Sequence, residues 1–118
     1  MERLKRRQDF VAAARALSEA TTGMVVQARN RLDIGGPRLG FTCSKKIGNA
    51  VIRNRSKRRM REVARLVLAD TAQSGFDYVL IGRMATATRG FADLQKDLAS
   101  ALKRLHASPH EVADKGRR

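Results

Sequence analysis

The chain has 118 residues, 42% of them hydrophobic, which suits one compact domain and is too short for two. Lys and Arg number 25 against 11 acids, and a formal charge of +14 disfavours a compact state unless a polyanion neutralises it, so nucleic acid is the expected partner and an anionic membrane surface the weaker alternative. Cys43 is the one cysteine, which excludes an internal disulfide and a cysteine-based zinc site; no apolar run approaches the roughly 20 residues of a membrane span, and the charged start Met1-Glu2-Arg3-Leu4 lacks a secretory apolar core, so a cytoplasmic setting is expected.

Residues 3–7 read as a basic arm of Arg3, Lys5, Arg6 and Arg7. Frequent Ala and the stripe Phe10, Val11, Ala13, Ala14, Leu17 predict a short helix over 8–20, ended by Thr21-Thr22-Gly23. Met24–Ala28 is β-prone, and Arg38–Ser44 alternates with period two. The turn cluster Asp33-Ile34-Gly35-Gly36-Pro37 between them predicts an antiparallel hairpin. Gly48 breaks the second strand and Asn49 is a favoured N-cap, so a helix is predicted over 50–69, with Met60, Val63, Ala64 and Val67 facing the core. Phe76–Gly82 reads as a buried strand. Phe91, Leu94, Leu98, Leu102 and Leu105 carry a last helix over 91–106. The polar remainder, 107–118, is expected to be a disordered basic tail beyond a single 1–106 domain. The predicted fold class is α+β: a two-layer sandwich of one small, mostly antiparallel sheet of about four strands and three helices.

The chemistry concentrates between Lys45 and Arg61. That stretch holds eight cations, at 45, 46, 53, 55, 57, 58, 59 and 61, and no acid. On a helix, Arg55/Arg59, Lys57/Arg61 and Arg61/Arg65 are like-charge i,i+4 pairs, each costing roughly 0.2–0.5 kcal/mol in isolation. Stability alone does not favour such crowding; a polyanion pressed against it does. Guanidinium matches phosphate bidentately, the helix N-terminus adds free N–H groups, and Asn54 can bond a sugar, phosphate or base edge. With no Trp and only 4% aromatic residues, stacking has few platforms, so phosphate contact must dominate. No catalytic constellation is visible: His106 and His110 lie at the chain's end, and Asp93 and Asp97 are expected to pair with neighbours such as Lys96 and Arg104 or to face water.

The run Lys45-Lys46-Ile47-Gly48-Asn49-Ala50-Val51-Ile52-Arg53-Asn54-Arg55-Ser56-Lys57-Arg58 resembles the signature of the bacterial ribonuclease P protein family, whose core is an Arg-Asn-Arg element on a helix. The flanks agree: Arg3-Leu4-Lys5, Asp9-Phe10, Gly40 to Lys46, and Asp77-Tyr78-Val79-Leu80-Ile81. The resemblance implies a fold like a domain of a small-subunit ribosomal protein. It implies that ribonuclease P RNA, with Mg²⁺ held mainly by the RNA, removes the 5′ leader of precursor tRNA, with one protein per RNA. It further implies that Asn49, Arg53, Asn54, Arg55, Lys57, Arg58 and Arg61 face that RNA. Phe10, Lys45, Lys46, Arg3 and Arg7 would line a cleft for the leader. Ala14 and Gln27 stand where relatives carry aromatics, so the leader preference of this chain is expected to differ. Three other readings stay open on composition: a ribosomal-type structural rRNA-binding protein, a DNA-binding regulator using the 50–69 helix, and a membrane-surface helix.

Overall fold

In the computed structural model, which describes residues 1–107, the elements run β1 (Glu2–Arg3), α1 (Arg7–Ala14), β2 (Leu17–Ala20), β3 (Met24–Asn30), β4 (Arg38–Thr42), α2 (Ala50–Thr71), β5 (Phe76–Gly82) and α3 (Phe91–Ala107). Short 3₁₀ turns at Lys45–Ile47 and Met84–Ala87 lead into α2 and towards α3. The predicted tail lies outside the described residues except for Ala107, which closes α3. The class is α+β, as expected, but the sheet has five strands in the order β1-β4-β5-β3-β2 and is mixed. The pairs β1/β4 and β4/β5 are parallel; β3/β5 and β2/β3 are antiparallel.

Three local expectations change. The helix predicted over 8–20 stops at Ala14, and Leu17–Ala20 becomes a strand paired with Val25–Ala28. Its sequence has no strong β signal; pairing with β3 imposes the conformation, and tertiary context overrides helix propensity. The basic arm is partly an edge strand, with Arg3 beside Leu39 and the Leu4 N–H bonded to the Leu39 carbonyl at 3.0 Å. The β3–β4 hairpin does not form. β5 lies between the two strands, and its register sets Asp77 opposite Arg29 on one side and Arg38 on the other. That arrangement gives a buried carboxylate a cation from each neighbour, which a direct hairpin would not.

Strand alternation divides the core. Met24, Val26, Ala28, Leu39, Tyr78 and Leu80 point to one face, where Met60, Val63, Ala64 and Leu68 of α2 and Leu94, Leu98, Leu102 and Leu105 of α3 cover them. On the other face Val79 and Ile81 meet Leu4, Phe10 and Ala13, so α1 forms a partial third layer. A Cβ on Gly40 would come within 2.6 Å of the Phe10 ring, so the ring rests directly on the β4 backbone. Gly40→Ala is expected to push the ring aside at a cost of about 1 kcal/mol, the lower end for overpacking. Urea unfolding and the Phe10 proton shifts measure this; unchanged shifts would place the ring elsewhere.

The Tyr78 hydroxyl accepts the Gln73 N–H at 2.9 Å and lies 2.8 Å from His106 Nε2. Burial pushes its pKa up to about 12 from 10.0. The folded chain therefore keeps a proton that the unfolded chain releases, and this contribution is complete below pH 10 and lost as pH rises towards 12. Urea midpoints across that interval should fall in the native chain and fall less in Tyr78→Phe.

Candidate nucleic-acid interface

The basic helix begins where its sequence requires. Gly48 takes φ +146°, a value that side-chain-bearing residues rarely adopt, and turns the chain out of Lys45–Ile47. Asn49 then caps α2, its Oδ1 accepting the Ile52 N–H at 3.0 Å. Asn49 thus has a defined structural task, whatever else it touches.

The cations of α2 divide into two groups. Arg59 points along the body of the protein, its Nη1 donating to the carbonyls of Thr86 at 3.2 Å and Ala87 at 2.8 Å, and its Nη2 to that of Arg89. Burial, with the charge of Arg55 one turn away, pulls its guanidinium below the ordinary arginine value. Arg55, one of the residues predicted to face RNA, is exposed but also braces this segment, its Nε donating to Ala87 at 2.9 Å. Arg53 folds back onto the Gly48 carbonyl at 3.0 Å. The outer face carries Asn54, Arg58 and Arg61, with Lys57 half-buried beside them. Lys57, Arg58 and Asn54 make no side-chain hydrogen bond or ion pair with the described residues. Arg59→Met should therefore lower stability by about 1–3 kcal/mol through unpaired carbonyls. The same variant should leave the salt dependence of RNA binding unchanged, as thermal melts and binding titrations would show.

The α1 face of the sheet is only partly covered. Phe10 is half-buried, Ala14 is exposed one turn further on, and Val25, Gln27, Thr42 and Ile81 remain half-exposed beside them. Lys45 and Lys46, both exposed, follow the end of β4, and exposed Arg7 opens α1. Phe10 and Arg7 thus lie on α1, and Lys45 and Lys46 in the turn that leads from β4 into α2. Arg3 does not join them. It lies on the α2 side, its guanidinium 5.6 Å from the centre of the Phe41 ring, while Arg61 approaches the same ring to 5.8 Å. Sequence reading missed this grouping, because nothing local reveals that a two-residue strand sets Arg3 beside Leu39.

A second unforeseen feature fixes α1. Asp77 is fully buried and receives Arg38 through Nε at 2.7 Å and Nη2 at 2.8 Å, Arg31 at 2.7 Å and Arg29 at 3.4 Å. Asp9 lies 3.5 Å from both Arg29 and Arg38, tying α1 to the same cluster. The arginines gathered at this end of the sheet are thus paired with acids, unlike Lys57 and Arg58.

Asp97 and His106, both singled out in the sequence, have structural partners. Asp97 does not pair with Lys96 or Arg104; it holds Arg89 at 2.6 Å and the Gly23 N–H at 3.1 Å, while Arg104 pairs with Glu19. His106 bonds to Tyr78, and His110 lies outside the described residues. Burial pushes the Cys43 thiol up, away from a reactive thiolate. Among the described residues no group of three or more His, Cys, Asp or Glu is placed to hold a metal ion, and no helix is long and apolar enough to cross a membrane.

Comparison with known proteins matches this arrangement to one family. The family model Ribonuclease P matches residues 1–106. The ribonuclease P protein component of Ruegeria pomeroyi is 58% identical over 108 residues, covering 88% of this chain and 86% of that protein. The Caulobacter vibrioides protein component is 49% identical over 107 residues, covering 90% and 72%. The solved RNase P protein of Staphylococcus aureus aligns with a TM-score of 0.72 at 31% identity over 88% of this chain and 94% of that one. The Thermotoga maritima protein also gives 0.72, at 30% identity over 88% and 97%. The chain belongs to the ribonuclease P protein component family.

Proposed function

We propose that the chain binds the catalytic RNA of ribonuclease P through the outer face of α2 and the 5′ leader of precursor tRNA through the groove between α1 and the sheet. Asn54, Lys57, Arg58 and Arg61 meet RNA directly, with Arg53 and Arg55 contributing charge from positions already bonded to backbone carbonyls. Asn49 presents the capped helix N-terminus to a phosphate. Phe10 offers a stacking surface to a leader base, with Lys45, Lys46 and Arg7 on its phosphates. The observation that carries this reading is a stretch of eight cations without an acid, in which Lys57 and Arg58 lack any partner within the described fold.

In this reading the protein is the non-catalytic subunit of a cytoplasmic ribonucleoprotein endonuclease, one copy per RNA. Mg²⁺ is, in this reading, held mainly by the RNA partner, where it would supply Lewis acidity and activate a water for phosphodiester hydrolysis. The protein's own share is to neutralise phosphate charge and to position the leader.

Mixing the protein with the catalytic RNA and precursor tRNA at low Mg²⁺ tests this. Release of the leader faster than with RNA alone is the expected result. No stimulation, together with tight binding to ribosomal RNA, would overturn the proposal in favour of a ribosomal-type structural protein.

A further inference from the structure

The second aromatic site lies on the other side of the sheet from Phe10. Phe41 is only half-buried, at the wall of an open pocket of about 340 Å³ between β4 and α2. That is within the range of small-ligand sites, about 300–1,000 Å³. Leu39 and Ala64 form its apolar floor, and three guanidinium groups, Arg3, Arg61 and Arg65, surround it. Arg65 is paired with Glu62, but no acid lines the pocket itself. Arg61 and Arg65 are one turn apart on α2 and repel each other, and Arg3 adds a third cation. An aromatic wall within a ring of guanidinium groups complements a planar base flanked by phosphates.

We propose that this pocket is a second nucleotide site, which takes one unpaired base of the catalytic RNA. The inference rests on the proposed binding of that RNA by α2, since Arg61 continues the line Arg53-Lys57-Arg61 at i,i+4 spacing and leads the RNA strand into the pocket. The base stacks on Phe41 in place of the Arg3 guanidinium, which moves outward onto a phosphate; Arg61 and Arg65 take the phosphates on the helix side. Arg3 is the group displaced because it sits on a two-residue edge strand, whereas Arg61 is held within a long helix. Stacking on an aromatic ring is sequence-tolerant, so the site selects an unpaired base rather than a particular one. An RNA strand bound here would be separated by the sheet from the groove at Phe10, and the two sites would engage different strands.

The chain has no Trp, so the Phe41→Trp variant carries a single fluorescent reporter at the site. Titrating it with the catalytic RNA should quench its emission in step with complex formation, measured independently by filter binding. Phe41→Leu, which keeps the apolar wall, should bind the RNA roughly tenfold more weakly with an unchanged salt slope, because a stack and not a phosphate contact is lost. Arg65→Gln should instead shallow the slope of log K against log[salt] by about one. RNA binding at native affinity with unquenched emission in Phe41→Trp and no loss in Phe41→Leu would overturn the inference and leave the α2 interface standing. Failure of the native chain to bind the RNA would instead overturn the reading on which it rests, and the inference with it.

Discussion

Asp77→Ala is expected to destabilise the domain by about 3–5 kcal/mol, the usual consequence of removing one partner from a buried ion pair. The carboxylate is fully buried and is the shared acceptor for Arg29, Arg31 and Arg38. Without it the three guanidinium groups face one another with only Asp9 and Asp33 nearby, in a chain already carrying +14. Typical domains have only about 5–15 kcal/mol in total, so the variant should be partly unfolded at low salt. Asp77→Asn keeps the shape and one good acceptor and should lose less. The urea midpoint measures both, with an unchanged slope showing that the unfolded state is the same. If, as proposed, RNA binds the native form more tightly than the unfolded chain, added RNA should restore folding by mass action. An unfolding free energy for Asp77→Ala within about 0.5 kcal/mol of the native value, the usual range for surface substitutions, would mean that the cluster is peripheral to stability.

The largest effect on binding is expected from Lys57→Ala combined with Arg58→Ala. If about six phosphates are neutralised, log K against log[salt] should slope at roughly −4 to −5 in the native chain. Removing two contacts should bring this to roughly −3 to −3.5, and affinity at fixed salt should fall by about tenfold per cation. These two side chains bond nothing in the described fold, so the melting temperature should be unaffected or slightly higher as like-charge repulsion is relieved. Arg53→Ala with Arg55→Ala is a less clean pair, because each also loses a bond to a backbone carbonyl, of Gly48 and of Ala87 respectively, the latter still held by Arg59. A native slope in the Lys57/Arg58 double variant would show that the helix faces away from the RNA.

Two helices were legible because their information is local. The cap at Asn49 and the period of Met60, Val63 and Ala64 define α2, and the Leu94–Leu105 stripe defines α3. The position of β5 was not legible, since the residues that call for it, Arg29 and Arg38, show their need for Asp77 only after the strands are in register. Leu17–Ala20 was misread for a related reason: its strand conformation comes from a partner and not from its own residues. At the interface, the density of positive charge was plain from the sequence. Which arginines turn inward was not, because that depends on where the turn 84–89 comes to rest beside the face of α2 that carries Arg59. The grouping of Arg3 with Phe41 joins segments far apart in the chain and left no local trace.

The late arrival of β5 in sequence has a consequence for synthesis. A growing chain that has emerged only as far as Ser74 possesses both flanking strands but not the one that joins them, so β3 and β4 have no common neighbour. Such non-local closure is slow to reward the entropy it costs. The ribosome would therefore release most of this polypeptide before the β1/β4 and β2/β3 pairs can be joined into one sheet, and fragments truncated ahead of Phe76 should be far more protease-sensitive than the whole chain.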